Sequence, residues 1–243
     1  MILEIDVGNT RTKWRVKDRQ RIVMRGLQPT ESTVEAFKID ASIGERLSSA
    51  VMSSVVEPQM RDDIIYRLDR SFGIKTKMAI VSERVGPVEC GYKRACEFGV
   101  DRWLAILAGF QRLAGAMIVI DAGSAITIDF VDESGKHQGG YIAPGISMMR
   151  ASLLNGAHGV QSWSFTQDDV RGPASDTGAA VSRGCVLSAV SLINYLSKDQ
   201  SSSLVLTGGD AKHLLHYLNG VPIYVEDLVL EGLSVDGVQF ETL

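Results

Sequence analysis

The chain reads as a duplicated α/β fold of two lobes, residues 1–115 and 116–243, each opened by an antiparallel meander of three strands. Three observations carry this reading. The phrase IDVGN at residues 5–9 returns as IDAGS at residues 120–124, each time closing an apolar run. In register, Asp6 falls on Asp121, Gly8 on Gly123 and Thr12 on Thr127, a constant offset of 121 − 6 = 115 residues. Strand-like segments follow both phrases, and helical periodicity follows both meanders.

Residues 2–7 alternate apolar and acidic side chains, and 13–16 and 21–24 continue as extended runs broken by Gly8-Asn9 and Lys17-Asp18, which predicts the first meander. Residues 47–53 read as a further strand. Over 58–72, Met60, Ile64, Ile65, Leu68 and Phe72 recur on one helical face, and Gly73 ends the helix. Residues 77–81 form another strand. The stretch 86–99 is rich in Gly, Cys and charge, lacks a period, and reads as an irregular loop. From 102 to 113, Trp103, Leu104, Ile106, Leu107 and Phe110 predict a well-buried helix with Asp101 at its start and Gly115 as its stop.

The second half repeats the opening. Residues 117–120 are a strand, Asp121 the corner, 126–131 a strand, Ser134-Gly135 a turn and 138–143 a third strand. Pro144-Gly145 breaks the meander, 147–154 is helical, 155–175 a polar loop and 177–196 a long helix. A strand at 204–206 runs into Thr207-Gly208-Gly209-Asp210, then a helix to Leu218, a strand at 223–225 and a closing helix near 229–234.

Composition excludes several classes. A 45% hydrophobic and 22% charged content over 243 residues is that of a soluble globular protein. A net charge of −4 argues against nucleic acid as a partner, since such binding needs clustered Lys and Arg. No apolar run approaches the roughly 20 residues of a membrane span, and the first strand begins at Met1 without a charged leader, so no membrane partner and a cytoplasmic location are expected. Cys90, Cys96 and Cys185 lack C-x-x-C spacing and predict neither disulfides nor a zinc site. His213 and His216 are expected to face water, and His137 and His158 to lie in loops. Neither a Walker A run nor G-x-G-x-x-G occurs.

An Asp that closes a buried strand two residues before a Gly makes a tight corner in which backbone N–H groups and a carboxylate face one small space. Such a corner suits phosphate and its cation, because Gly admits the ligand to bare backbone while the carboxylate holds the metal. A hairpin corner with Asp capping a turn is the other reading. Its recurrence at Asp121 favours the first.

With IDVGNTRTKW at 5–14, GVDRW at 99–103, IDAGSAITID at 120–129, GGYIAPG at 139–145 and TGGDA at 207–211, in that order, the chain resembles type III pantothenate kinases over its whole length. These are relatives of sugar kinases, actin and Hsp70-type ATPases. The resemblance implies a duplicated ribonuclease H-like (actin-like ATPase) fold, each lobe a mixed sheet of five-stranded type flanked by helices. It implies ATP-dependent phosphorylation of the primary hydroxyl of pantothenate to 4'-phosphopantothenate, the first step of coenzyme A biosynthesis. It further implies magnesium with ATP, a monovalent cation (potassium or ammonium), and a homodimer with the substrate site near the subunit interface.

By the same resemblance, ATP contacts run through Asp6, Val7, Gly8, Asn9, Thr10, Arg11, Thr12 and Lys13, with Gly8, Asn9 and Thr10 as the first phosphate loop. Asp6 is placed for magnesium, directly or through water, and Lys13 adds a point charge. Gly123 and Ser124 form the second phosphate loop, with Ser124 where most relatives have Thr, and Asp121 holds the monovalent cation. Gly208 and Gly209 lie against adenine and ribose, a tight strand-to-helix turn being the alternative.

Asp101 matches the carboxylate that accepts the attacking alcohol's proton; its structural alternative is the N-cap of the following helix. Substrate contacts are implied at Tyr92, Gly99, Val100, Asp101, Arg102, Asp176 and Thr177. Arg102 can grip a carboxylate bidentately, or form a surface salt bridge. In TGAAVSRG, Thr177 matches a Thr that reaches pantothenate from the neighbouring subunit, and Asp176 stands where many relatives have Asn. Which of the two touches ligand, and which caps the helix, stays open. A kinase of another small hydroxylated metabolite and a non-catalytic nucleotide-dependent regulator are the competing readings. A sensor has no need of Asp6, Asp101 and Asp121 together.

Overall fold

The computed structural model describes residues 1–33, 37–156, 172–198 and 201–242. Most of the loop expected at 155–175, His158 included, lies outside them. In chain order the elements are β1 (Ile2–Val7), β2 (Arg11–Asp18), β3 (Arg21–Pro29), the short helices α1 (Thr30–Thr33) and α2 (Ala41–Gly44), β4 (Ser49–Ser54), α3 (Pro58–Phe72), β5 (Thr76–Ile80), the hairpin β6 (Arg84–Val85) and β7 (Val88–Glu89), and α4 (Val100–Leu113). There follow β8 (Met117–Ala122), β9 (Ala125–Val131), β10 (His137–Pro144), α5 (Ile146–Gly156), α6 (Thr177–Ser197), β11 (Ser203–Thr207), α7 (Ala211–Leu214), β12 (Ile223–Tyr224), α8 (Leu228–Gly232) and β13 (Gln239–Thr242).

Two compact units form. The first comprises Met1–Ala114, Ser134–His137 and Asp227–Leu243. Its sheet runs β13-β5-β4-β1-β2-β3, the β1-β2-β3 meander antiparallel and β1, β4 and β5 mutually parallel. Alternation along β1 turns Leu3, Ile5 and Val7 into a core with Ala50, Met52, Ile64 and Leu68. Glu4 and Asp6 fall on the opposite face. Pro58 opens α3 with its φ already helical, and Gly73, at φ 63°, closes it with an N–H donated to Asp69 O. Helix α4 is buried from Arg102 to Phe110, and α8 approaches it so closely that a Cβ on Gly232 would lie 2.3 Å from Leu104 O.

The second unit comprises Gly115–Glu133 and Gln138–Glu226, with the sheet order β10-β9-β8-β11-β12. β8 is antiparallel to β9 and parallel to β11. Ile118, Ile120, Ile126 and Ile128 pack with Cys185, Val186, Ala189 and Ile193 of α6 and with Leu206 of β11. Both units therefore hold the mixed sheet with flanking helices that the resemblance implied.

Four expectations change. The first sheet gains a sixth strand, β13, whose four residues QFET are too few and too exposed to show alternation. The segment read as an irregular loop contains the β6–β7 hairpin and a 3-10 turn at Ala95–Glu97, each shorter than any readable period. Helix α4 starts at Val100 with Gly99 as N-cap, and it ends on Ala114 in the left-handed region rather than on Gly115. Helix α6, at 21 residues, is by length and composition apolar enough to cross a membrane, against the expectation that no run approaches that length. Its Gly, Ala and Ser residues obscured this, since Arg183 is its only charge. Its inward residues sit in the core of the second unit.

The repeat itself slips at the corner. Val7 pairs with Thr12 and Asp6 with Lys13, whereas Ala122 pairs with Ile126 and Asp121 with Thr127. The offset is 122 − 7 = 115 before the corner and 126 − 12 = 114 after it, so Thr12 and Thr127 are not equivalent. The second turn is one residue shorter.

Candidate active site

In the first unit, Asp6 stands one residue before the end of β1, beside Lys13 of β2 and Ser53 of β4. The corner is closed by the Gly8 N–H, which donates to Arg11 O at 3.1 Å. Thr30 fixes it from behind. Its hydroxyl donates to Gly8 O at 2.6 Å, its N–H donates to Thr10 O at 3.1 Å, and its Oγ1 lies 3.2 Å from that of Thr12. Two loop carbonyls are thereby turned into the protein, while Asn9, Thr10 and Arg11 stay exposed. Val7 and Thr12 are fully buried, so neither offers surface to a ligand. Lys13 Nζ lies 3.8 Å from Asp227, which Arg25 approaches at 3.6 Å. No sequence signal linked Asp227 to this corner.

A second cluster in the same unit surrounds the start of α4. Asp101 is in the helix's first turn, not at its cap, and its Oδ1 accepts the Arg102 N–H at 2.8 Å. The helix dipole favours a carboxylate there. Gly99 is required beneath it, since a Cβ on Gly99 would lie 2.7 Å from Asp101 Oδ1. Val100, the first residue of the helix, is partly buried.

Arg102 is only 7% exposed, which removes the surface salt bridge as its role. Its Nη1 donates to the Tyr92 hydroxyl at 3.1 Å, and its guanidinium carbon lies 4.6 Å from the Phe98 ring centroid. Beyond Phe98 lies His137. That residue, expected in a loop, is the first of β10 and 1% exposed. Its burial follows from pairing, because the β9–β10 turn docks on the hairpin through the Glu89 N–H, which donates to Gly135 O at 3.1 Å.

In the second unit three loops converge on Asp121. The β8–β9 corner is closed by the Gly123 N–H donating to Ala125 O at 3.0 Å, and Ser124 is exposed beside it. The Gly145 N–H donates to Ser124 O at 3.0 Å, and a Cβ on Gly145 would lie 2.2 Å from Gly123 O. The loop after β11 is tied by the Asp210 N–H, which donates to Ala122 O at 2.9 Å. Gly208 there has φ +101°, and a Cβ on it would lie 2.4 Å from both Asp121 Oδ1 and Ala122 O. Only Gly fits. Gly209 is exposed next to it.

At the start of α6, Asp176 is the N-cap, its Oδ1 accepting the Ala179 N–H at 2.9 Å. Thr177 is exposed on the first turn. His213 and His216 are exposed, as expected.

Among the described residues no group of three or more His, Cys, Asp or Glu could hold a metal alone. The donors at Asp6 and Asp121 are single carboxylates, the second with Ala122 O close by. That all-oxygen set suits hard cations, and magnesium is commonly held by one or two carboxylates together with substrate phosphates. The gap left by the absent Cβ of Gly208 opens directly over Asp121. The residues fit both cations.

A sequence profile of type III pantothenate kinases matches residues 2–199. A type III pantothenate kinase from Chromohalobacter salexigens is 36% identical over 96% of this chain and 86% of its own length. One from Pseudomonas paraeruginosa is 34% identical over 97% and 98%. Among solved structures, a Campylobacter jejuni protein described as a Baf family transcriptional activator superposes with a TM-score of 0.62 at 22% identity, covering 96% of this chain and 95% of the other. Component A of the (R)-2-hydroxyglutaryl-CoA dehydratase of Acidaminococcus fermentans gives 0.53 at 15% identity, covering 96% and 95%. These two likenesses concern the fold.

Proposed function

The chain belongs to the type III pantothenate kinase family, and on that premise we propose how its residues divide the work of the reaction. The enzyme phosphorylates the primary hydroxyl of pantothenate with ATP, the first step of coenzyme A biosynthesis. The hydroxyl oxygen forms a bond to the γ-phosphorus as the bond from that phosphorus to the ADP oxygen breaks. Asp101 accepts the hydroxyl proton. The observation that carries this role is the carboxylate's placement, held by the Arg102 N–H above a Gly99 that leaves no room for a side chain. In a loose transition state such a base acts mainly by orienting the oxygen, for which an ordinary carboxylate suffices.

The nucleotide's phosphates are assigned to Gly8, Asn9 and Thr10, to Lys13, and to Gly123 and Ser124, with Gly208 and Gly209 against adenine and ribose. Asp6 holds magnesium, directly or through water, and Asp121 the monovalent cation. These ions neutralise phosphate charge. Arg102 and Tyr92 take the pantothenate carboxylate, and Gly99 and Val100 line the same site. At the start of α6 the assignment falls on Thr177, because the Asp176 carboxylate is engaged as the cap.

A homodimer is supported by the outer face of α6 and its neighbour α5. Leu187 and Tyr195 are 52% and 78% exposed, and Met148 and Leu153 of α5, which packs on α6, are exposed as well. Pairing of two copies through this apolar face buries it and carries Thr177 to the partner's substrate. Three free thiols accord with a cytoplasmic, reducing location.

The test is to offer the purified protein ATP, magnesium and potassium with pantothenate beside a panel of sugars. Phosphorylated pantothenate alone is expected, and a phosphorylated sugar in its place overturns the reading. Asp101→Asn retains nucleotide and pantothenate binding and lowers kcat by about 10²–10⁴-fold. Unchanged turnover removes Asp101 as the base.

A further inference from the structure

We propose that Phe98 and His137 are positioning residues that set the orientation of the Arg102 guanidinium and so the enzyme's affinity for the acceptor's carboxylate. This rests on the reading of Arg102 as that carboxylate's partner.

The geometry is a layered stack. The Arg102 guanidinium carbon lies 4.6 Å from the centroid of Phe98 and 5.7 Å from that of Tyr92. Behind Phe98, the His137 imidazole lies at 4.7 Å and 22°, a stacked pair, and it lies 5.9 Å and 16° from Tyr92. Tyr92 and Phe98 are themselves 4.6 Å apart. Trp103 closes the far side edge-on to Phe98 at 6.4 Å. Phe98 thus touches every member, and it is 4% exposed. A guanidinium over an aromatic face is attracted by the ring's negative quadrupole, and exclusion of water strengthens that attraction. The stack leaves the Arg102 side chain a planar seat on one side and the Tyr92 hydroxyl at its Nη1.

The stack is anchored by backbone. His137 cannot drift from the loop that bears Tyr92, because a Cβ on Gly91 would lie 1.9 Å from His137 O. A parallel bridge joins Glu89 to Lys136, and a Cβ on Gly135 would lie 2.8 Å from Pro87 O. The turn before β10 therefore clamps residues 87–91, and its next residue supplies the outermost ring. An Arg is flexible in proportion to its unbranched stem; here packing and backbone pairing restrict it before the acceptor arrives, which lowers the ordering cost of binding.

A role in general packing alone predicts loss of stability without selectivity between substrates. Steady-state kinetics on His137→Leu, Phe98→Leu and Arg102→Ala, singly and combined, separate the two. Phe98→Leu is expected to raise the pantothenate KM about fivefold to tenfold, from the strength of a desolvated cation–π contact, and His137→Leu, which removes only the ring behind Phe98, by a smaller factor, each with kcat and the ATP KM within about twofold. His137→Phe, which keeps a ring, restores the wild-type KM. In the Arg102→Ala background His137→Leu adds nothing, because the residue it acts through is gone.

An unchanged pantothenate KM in both leucine variants overturns the proposal. So does a full multiplicative effect of His137→Leu on top of Arg102→Ala, which assigns the histidine a role independent of the arginine. An unchanged KM in Arg102→Ala alone overturns instead the reading of Arg102 as the acceptor's partner, and the present proposal with it. Should His137→Leu fail to fold, His137→Gln removes the ring while keeping a polar side chain, and the same cycle applies.

Discussion

Replacement of Gly99 by Ala separates catalysis from folding in this enzyme. Gly99 has φ −62° and ψ 128°, a backbone conformation that alanine adopts without strain. Alanine is a poorer N-cap than glycine by about 0.5–1 kcal/mol, and the lower entropy of the unfolded alanine chain returns about 0.4–1 kcal/mol. The two nearly cancel. The new Cβ, however, would stand 2.7 Å from Asp101 Oδ1 and 3.6 Å from Arg102 Cδ. The carboxylate is the free end of a rotatable side chain, so it moves by about 1 Å and gives up the Arg102 N–H. A displacement of that size at a reacting group costs on the order of 10²-fold in rate, or about 2.7 kcal/mol at 1.36 kcal/mol per decade. The assay is ADP release at saturating substrates, run beside thermal unfolding. The expected result is a Tm within a few degrees of wild type with kcat down about a hundredfold. Wild-type kcat in Gly99→Ala refutes the reasoning, as does a kcat loss matched by a collapse in Tm.

Gly208→Ala meets both a positive φ and the Asp121 carboxylate at 2.4 Å; a left-handed alanine costs about 1–2 kcal/mol, and dependence of activity on potassium is expected to weaken. Potassium titrations indistinguishable from wild type remove Asp121 from that ion. Glu4→Ala leaves Arg15 buried without its carboxylate partner, the Leu230 O at 2.8 Å being its remaining acceptor among the described residues. Loss of one partner of such a pair costs about 3–5 kcal/mol, read by urea unfolding, and a loss below about 1 kcal/mol contradicts the burial of the pair. Burial pushes the Cys185 thiol up, with Arg150 pulling partly the other way. A raised folded pKa means that the folded protein holds the proton more tightly, so this contribution is present below the ordinary thiol range and is lost as pH rises through the folded value. Cys185→Ala is therefore expected to flatten the alkaline decline in stability, and in thiol labelling the exposed Cys96 reacts before Cys185. The reverse order of labelling contradicts the assignment.

The motifs were legible wherever chemistry and local geometry coincide. An Asp closing a strand and a Gly beyond it name the corner at Asp6 and again at Asp121, and the helical period of α3 and α4 is plain in their apolar residues. Alternation also explains a finding that the motif alone hides, since Val7 lies one residue past Asp6 and must face the core. Letters mislead where the turn changes length: they set Thr12 on Thr127, whereas the ladders place Thr12 opposite Val7 and Thr127 opposite Asp121. Asp227 beside Lys13, and His137 beside Phe98, had no local signal, because only the chain's return paths bring them there. Strand β13 shows the same limit in another form. Its four residues are a strand because the edge of β5 is available to them.

The route of residues 227–242 carries a consequence for how the protein comes into being. Arg15 of β2 donates to Leu230 O, and Ser234 donates to Glu4 at 2.5 Å, while β13 lies antiparallel to β5. On a ribosome that releases the N-terminus first, the opening meander emerges long before these partners exist. Every residue of the second unit is synthesised in the interval. Arg15 and Glu4 can pair within the opening meander, but the Leu230 carbonyl and the Ser234 hydroxyl that complete their hydrogen bonds arrive only after the second unit has been made.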